Sequence, residues 1–235
     1  MSVTLFLSSH PDDALFGAGA LMAHLPAGSV VHANAYAPAG EDDPASVRLS
    51  DAFAAGRAAF ESLGVQAIEG SLVAPPNVVD DAALTTKLSA LLSTVRPDTV
   101  ILPLGLAHRD ADLQLIAVCL RLRQQWAHAR WLQYYDQPFV GFHRGRYPEL
   151  AFARRVRLLA EVDEEASMFN WKPVGAPAPQ DPLQRKLEAC LALDSDTIDE
   201  CFFAPQTFDF PTDPALVREH VARVIGQREW LSTMA

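Results

Sequence analysis

Short apolar runs alternate along the chain with longer stretches whose apolar residues recur at helical spacing. The runs predict strands over 3–7, 29–36, 65–72, 97–104 and 131–135. The stretches between them predict helices over 14–24, 46–63 and 80–95, and a further helix that ends at Arg123. Strands that alternate with helices in this way are typical of βαβ units around a parallel sheet. The pattern therefore predicts an α/β, Rossmann-like three-layer fold with a mainly parallel sheet.

The C-terminal third of the chain gives a weaker pattern. A helix is predicted to start at Gln184, and a terminal helix is predicted over 216–231 from its regular apolar spacing. Residues 152–162 fit either a strand or a short helix. A length of 235 residues fits one α/β domain or two small ones, and because strands and helices alternate through the fifth strand, we expect residues 1–235 to form one domain.

Charge and composition narrow the range of partners. The chain has 29 acidic residues against 19 lysines and arginines, for a net charge of -10. This charge argues against nucleic acid and anionic membrane surfaces as partners. The sequence has no signal-peptide pattern and no apolar run long enough for a membrane span, so we expect a cytoplasmic protein. A small-molecule substrate is the expected partner, and a homo-oligomer remains open.

The three cysteines, Cys119, Cys190 and Cys201, lie in apolar or helical patterns. None forms a CxxC pair, so we expect buried, reduced thiols and no disulfide.

Candidate chemistry follows the first strand, in the sequence Ser9-His10-Pro11-Asp12-Asp13. Polar residues at the carboxyl end of a parallel strand lie where α/β folds place their sites. The spacing of His10 and Asp13 lets an imidazole and a carboxylate converge on one point, as a zinc ion requires. Asp12, between them, could then act as a base. In the alternative interpretation Ser9 or Asp12 caps the next helix, and His10 is a hydrogen-bonded turn residue.

This stretch, together with Gly17 and Gly19, resembles the signature of the PIG-L/LmbE-like zinc-dependent de-N-acetylases. The signature usually reads His-Pro-Asp-Asp-Glu, and Ala14 replaces the Glu in this chain. That family includes deacetylases of glycosylphosphatidylinositol, mycothiol, bacillithiol and glycopeptide-antibiotic biosynthesis. The resemblance implies hydrolysis of an amide, with release of acetate from an N-acetylated amine that is often a glucosamine.

A second group of polar residues follows the fourth strand, where His108-Arg109-Asp110 lead into a helix. The family pattern at this point is His-x-Asp-His, and the last His is the third zinc ligand. The resemblance implies that His108 helps to bind the oxyanion and that Asp110 orients its ring. Ala111 stands in place of the ligand, so the sequence departs from the family where the metal is bound.

Three interpretations of the third ligand remain open. Asp112 could bind the metal, because carboxylate oxygen is an accepted zinc ligand and a one-residue shift of alignment places Asp112 at the ligand position. His108 could bind the metal directly. Alternatively, no metal binds and the chain is a degenerate relative. Our hypothesis is a His10, Asp13, Asp112 site, whose harder ligands shift its preference from zinc toward manganese or magnesium.

One further match concerns the substrate. The sequence Arg48-Leu49-Ser50-Asp51 resembles the family's Arg-x-x-Glu, in which the Arg faces the substrate. The alternative is a solvated ion pair on a helix. Taken together, the sequence predicts a metal-dependent hydrolase that removes an acetyl or other acyl group from an N-acetylated amine, with an amino-sugar-containing small molecule or natural-product intermediate as substrate. The alternative function is a small-molecule-binding module without metal.

Overall fold

Strands and helices alternate along the chain in the computed structural model. The described residues are 2–10, 12–36, 54–68, 80–105, 110–134, 167–168, 181–193, 214–225 and 230–233. The strands are β1 (Thr4–Ser8), β2 (Val30–Asn34), β3 (Gln66–Ile68), β4 (Thr99–Pro103), β5 (Arg130–Tyr134), β6 (Ser167–Met168) and β7 (Trp230–Thr233). The helices are α1 (Asp13–His24), α2 (54–62), α3 (Asp81–Val95), α4 (Asp110–Arg123), α5 (Pro182–Leu191) and α6 (Pro214–Ile225).

These strands form one sheet in the order β3-β2-β1-β4-β5-β7-β6. The five strands from β3 to β5 run parallel, and β1 pairs with β2 on one side and β4 on the other. Strand β7 runs antiparallel to both β5 and β6. The predicted α/β fold with a mainly parallel sheet is therefore confirmed.

Helices cover both faces of the sheet. Side chains of β1 alternate between the two faces, with Phe6 in one buried cluster and Leu5 and Leu7 in the other. The cluster around Phe6 includes residues of α1, α2, α5 and α6, and the cluster around Leu5 and Leu7 includes residues of α3 and α4. Because β1 is covered on both faces, all five of its residues are buried.

Short polar side chains define where some helices begin. The Asp80 carboxylate accepts a hydrogen bond from the backbone N–H of Ala83 at 2.7 Å, and α3 follows directly. Asp181 caps α5 in the same way, with Pro182 at the first helical turn. Such caps satisfy N–H groups that have no partner within the helix.

Helix α1 is interrupted at Ala18, which has φ of -144° and ψ of 16°. The fully buried Lys186 of α5 donates a hydrogen bond from Nζ to the carbonyl oxygen of Phe16 at 2.7 Å. The Lys186 ammonium group therefore provides a hydrogen bond to a backbone carbonyl that lies just before the interruption of α1. Its stem passes over Gly19, where an added Cβ would lie 3.0 Å from Lys186 Cγ.

The neighbouring Arg185 joins two helix ends. Its guanidinium donates to the carbonyl oxygens of Ala23 and Leu63, each at 2.7 Å. Ala23 lies in the last turn of α1, and Leu63 directly follows α2. A cation placed at helix C-termini satisfies carbonyls that have no partner within the helix and interacts favourably with the helix dipoles. Consecutive basic residues of α5 thus hold α1 in place.

A group of buried polar side chains lies between β1 and β2. Ser8 Oγ lies 2.7 Å from Nε2 of His32 and donates to Oδ1 of Asn34 at 2.5 Å. Because the hydroxyl has one proton, it accepts from His32, so Nε2 carries the hydrogen of a neutral ring. The ring stacks on Phe60 with 3.9 Å between centroids. Burial lowers the pKa of His32 to about 3, although the negative charge of Asp13 acts to raise it.

Parts of the C-terminal prediction are wrong. The terminal helix ends at Ile225 instead of continuing to Leu231, and Trp230–Thr233 forms β7, which lies between β5 and the edge strand β6. Pairing with β5 overrides the helical spacing of these apolar residues, because the backbone groups of β5 are satisfied by a further strand. The undecided stretch 152–162 lies outside the described residues.

Two other predictions can be compared with the structure. Cys119 and Cys190 are buried free thiols, as expected, and Cys201 lies outside the described residues. Among the helices of the described residues, none combines the length and the apolar character that crossing a membrane requires.

Replacing Arg185 by alanine should lower the free energy of unfolding by about 2 kcal/mol or more, because two charge-assisted hydrogen bonds are lost. Urea titration monitored by circular dichroism measures the change. Arg57→Ala is the matched control, since its ion pair with Glu61 is exposed and should contribute less than about 1 kcal/mol. Equal effects of the two substitutions would show that Arg185 does not hold the helix ends together.

Because His32 stays neutral in the folded protein, the free energy of unfolding should decrease as the pH falls below about 6.5. The unfolded chain protonates this histidine near its ordinary pKa, whereas the folded protein keeps it neutral down to a pKa of about 3. Between these values the unfolded state binds one more proton, which removes about 1.4 kcal/mol of stability per pH unit. Urea titrations of His32→Gln from about pH 7 to 4 should therefore show a flatter decline than the unsubstituted protein.

The exposed His128 provides the matched control as His128→Gln. If His32→Gln and the unsubstituted protein lose stability in parallel over this range, the buried ring is not responsible for the pH dependence.

Candidate metal centre

His10, Asp13 and Asp112 come together at the carboxyl edge of the sheet. One potential ligand atom from each lies within 4.8 Å of the other two. Asp13 and Asp112 are almost fully buried, with 7% and 2% of their surfaces exposed, while His10 is partly exposed. The structure therefore places the three residues of the hypothesised site around one point, which can be reached from the side of His10.

The parallel sheet explains this convergence. Strand β1 pairs directly with β4, so their carboxyl ends meet at the same edge. The chain turns from β1 into α1 through His10 and Asp13, and it leaves β4 at Gly105, whose φ of 72° suits glycine. Helix α4 then begins at Asp110 and carries Asp112 in its first turn.

The geometry of α4 explains why position 112 faces the site. The Ala111 side chain is buried in the apolar cluster beneath α4, and it offers no ligand atom. The Asp112 side chain lies instead beside the turn that follows β1, where its carboxylate meets Ser9. The residue that departs from the family pattern is therefore a core residue here, and its neighbour supplies the carboxylate.

Hydrogen bonds fix the orientation of Asp13. Its Oδ2 atom accepts from the backbone N–H of His10 at 3.1 Å, and it lies 3.1 Å from Nδ1 of the same histidine. The hydroxyl of Ser9 donates to the same oxygen, also at 3.1 Å. His10 is thus a hydrogen-bonded turn residue, as the alternative interpretation expected, and it belongs to the cluster as well.

Ser9 contacts every member of the cluster. Besides Asp13, its Oγ atom lies 3.1 Å from Nδ1 of His10 and within hydrogen-bonding distance of Oδ1 of Asp112. The sequence predicted for Ser9 only a role as a helix cap. Its position directly after a buried strand and next to the motif was the signal that could have indicated a contact with the site.

The donor set fits a divalent cation. A hydroxyl has a single proton, so Ser9 can donate fully to only one of the two carboxylates at a time. Two buried carboxylates close together repel each other, which a cation between them would relieve. One imidazole and two carboxylates are ligands that zinc accepts, and their oxygen content also suits manganese.

Asp12 takes the N-cap position of α1, but its side chain makes no capping hydrogen bond. The interpretation of Asp12 as a side-chain cap is therefore wrong. Asp12 has 9% of its surface exposed, and in the sequence it lies between the potential ligands His10 and Asp13. The Asp12 carboxylate therefore does not cap α1, and its role as a base remains a prediction.

A hydrogen-bond network supports the start of α4. The hydroxyl of Tyr36 donates to Oε1 of Gln114 at 2.8 Å and lies 3.2 Å from the carbonyl oxygen of Ala111. Gln114 in turn donates to Asp81 at the start of α3. Burial, with the negative charges of Asp112 and Asp81, raises the pKa of Tyr36 well above its ordinary value. The phenol therefore remains a donor, which links the end of β2 to the turn that carries Asp112.

Other predicted site residues cannot be placed. His108 and Arg48 lie outside the described residues, and so does the partner of Arg48, Asp51. Asp110 is described only through its backbone, as the first residue of α4. Their assigned roles therefore remain predictions.

Comparison with models of protein families finds no match, and comparison with curated proteins finds none either. Comparison with solved structures finds several. The pseudoaglycone deacetylase Dbv21 of the antimicrobial reagent A40926 has a TM-score of 0.62 at 14% identity, over 99% of this chain and 96% of its own. The zinc-inhibited form of teicoplanin deacetylase Orf2 has a TM-score of 0.59 at 14% identity, over 98% of this chain and 97% of its own.

A third neighbour has a different activity. GalB, the 4-carboxy-2-hydroxymuconate hydratase of Pseudomonas putida KT2440, has a TM-score of 0.51 at 15% identity, over 100% of this chain and 97% of its own. The deacetylase neighbours belong to the LmbE/PIG-L de-N-acetylase family. The chain therefore has the fold of LmbE/PIG-L de-N-acetylases, in agreement with the resemblance carried by its His10 to Asp13 motif.

Proposed function

We propose that the chain is a metal-dependent hydrolase that removes an acetyl or other acyl group from an N-acetylated amine. The observation that carries this proposal is the convergence of His10, Asp13 and Asp112 at the carboxyl edge of the sheet. The fold shared with two glycopeptide deacetylases supports the same reaction class. An amino-sugar-containing small molecule is the substrate class that the resemblance of the sequence to the family implies.

A divalent cation in this site would polarise the amide carbonyl and make a nearby water molecule more acidic. Asp12 accepts a proton from the attacking water and then delivers a proton to the leaving amine nitrogen. The oxygen of the water ends in the released acetate, and the carbon–nitrogen bond breaks. Asp12 is nearly buried, with 9% of its surface exposed, which limits its contact with bulk water.

The resemblance assigns the remaining roles. His108 would donate to the oxyanion that develops on the substrate, and Asp110 would orient the imidazole ring. Arg48 would contact the substrate. These three assignments depend on the family pattern alone. The cytoplasmic location expected from the sequence likewise remains a prediction.

The ligand set favours a harder cation than the family's usual zinc. Two carboxylates and one imidazole offer mainly oxygen, which suits manganese and magnesium better than a site rich in nitrogen. The additional carboxylate also lowers the net positive charge of the occupied site. A water molecule bound there should consequently be less acidic than one in a site with two histidines.

Metal analysis combined with an activity screen tests the proposed function. The purified protein is stripped with a chelator and dialysed separately against zinc and manganese, and bound metal is then quantified by mass spectrometry. N-acetylglucosamine, N,N'-diacetylchitobiose and a glycopeptide pseudoaglycone are assayed for the release of acetate and of a primary amine. Bound metal together with metal-dependent release supports the hydrolase.

The alternative is a small-molecule-binding module without metal. Ala111, which replaces the usual ligand, favours this alternative, and GalB shows that the fold also serves a reaction other than deacetylation. A site that takes up neither cation, with no release of acetate, would favour this alternative over the hydrolase.

The Asp12→Asn substitution should lower turnover by about 10²–10⁴-fold, because the amide cannot accept the proton of the attacking water. The metal content should remain close to that of the unsubstituted protein, since Asp12 is not a proposed ligand. Glu61→Gln is the matched control, because this exposed acid lies on α2 outside the proposed site. If Asp12→Asn retains the full rate, another group is the base.

The Asp112→Ala substitution should remove the metal, because only one carboxylate and one imidazole of the proposed set remain. Asp112→His restores three ligands with softer chemistry, so it should bind zinc more tightly and manganese more weakly. Quantifying both metals after dialysis against each one measures these changes. Equal metal occupancy in Asp112→Ala and the unsubstituted protein would show that Asp112 is not a ligand.

A further inference from the structure

We propose that Ser9 is a positioning residue whose hydroxyl orients Asp112, an acidic ligand of the metal centre, beside Asp13 and His10. This inference rests on the proposed function, since it concerns the site formed by His10, Asp13 and Asp112. The observation behind it is that one buried hydroxyl contacts all three of these side chains.

The Ser9 hydroxyl connects two separate parts of the chain. Asp13 lies four positions after Ser9, in the same turn, whereas Asp112 lies 103 positions away on α4. The hydrogen bond to Asp112 therefore ties the ligand of one helix to the turn that carries the other two. Without it, the Asp112 side chain could rotate away from the point where the three potential ligands meet.

The support for Ser9 is rigid. It directly follows Ser8, the last residue of the central strand, whose carbonyl oxygen accepts from the N–H of Ala35 at 2.8 Å. Only 4% of the Ser9 surface is exposed, so water has little access to replace its hydroxyl. A donor on a fixed backbone sets the direction of a side chain more closely than a donor on a mobile loop.

A carboxylate can accept this hydrogen bond and bind a cation simultaneously. Each carboxylate has two oxygens with several lone pairs, so one oxygen can accept from Ser9 while the other faces the metal. Partners of this kind orient metal ligands, and their removal typically weakens metal binding by about 10–100-fold. The Ser9 hydroxyl contributes in this way without binding the metal itself.

The adjacent Ser8 provides a matched control. It is also buried, with 0% of its surface exposed, and its hydroxyl also has two side-chain partners. Those partners are His32 and Asn34, on the opposite face of the sheet from α4. Removing either hydroxyl therefore loses a buried hydrogen-bonding group next to β1, but only Ser9 contacts the proposed ligands.

The test is isothermal titration of the chelator-stripped protein with manganese and with zinc at constant pH. Ser9→Ala should raise the Kd for each cation by about 10–100-fold, while Ser8→Ala should leave both values close to those of the unsubstituted protein. Ser9→Gly removes the same hydroxyl and should weaken binding similarly, so the result does not depend on the folding of one variant. Circular dichroism confirms that each variant is folded before titration.

The outcomes separate this inference from the proposed function. If the unsubstituted protein binds neither cation, the metal centre itself is wrong. If it binds a cation but Ser9→Ala binds equally well or more tightly, the metal centre stands and the positioning role is overturned. An equal loss in Ser8→Ala and Ser9→Ala would also overturn it, because the effect would then follow from general loosening of the strand end.

Discussion

The central place of β1 in a parallel sheet is the constraint on which the site depends. Pairing with β2 and β4 fixes the strand on both edges, and helices bury both of its faces. Successive residues at its end must therefore point to opposite sides, so Ser8 meets His32 and Ser9 meets Asp112. One strand end thereby supports a neutral, closed polar cluster on one face and an acidic, accessible cluster on the other.

The acidic cluster gathers negative charge in a largely buried place, which is unfavourable in the absence of a counter-charge. Helices α1 and α4 both begin at this edge, and their N-terminal dipoles offset part of the repulsion between the carboxylates. Ser9 satisfies a further part by hydrogen bonding. The repulsion that remains between the carboxylates is locally unfavourable, and a folded protein can tolerate it at a site where a bound cation would neutralise it.

The sequence predicted the elements with strong local signals, and it failed where a contact between distant residues decides the outcome. The alternation of strands and helices predicted the parallel sheet, and the spacing of His10 and Asp13 within one turn predicted that their side chains meet. The strand at Trp230 was missed because its apolar spacing also suits a helix, and only pairing with β5 decides between them. Lys186 appears in the sequence as an ordinary helix cation, whereas the structure buries it completely beside the interruption of α1 at Ala18, where it donates to the carbonyl oxygen of Phe16. Asp112 was proposed as a ligand from comparison with a family pattern, because its local sequence does not show which side of α4 packs against the core. In the structure Ala111 packs into the buried cluster, together with Leu115 and Val118.

The passage of the Lys186 stem over Gly19 also affects how the sequence can change. A methyl group at position 19 would crowd the lysine stem at 3.0 Å, and the same lysine serves the carbonyl of Phe16. Substitutions at the two positions are therefore coupled, although the positions lie 167 apart in the chain. A smaller residue at position 186 would relieve the closest of these contacts, although Leu15 Cδ1 would still lie 3.3 Å from the added Cβ, so a change at position 19 is easier to accept after one at position 186 than before it.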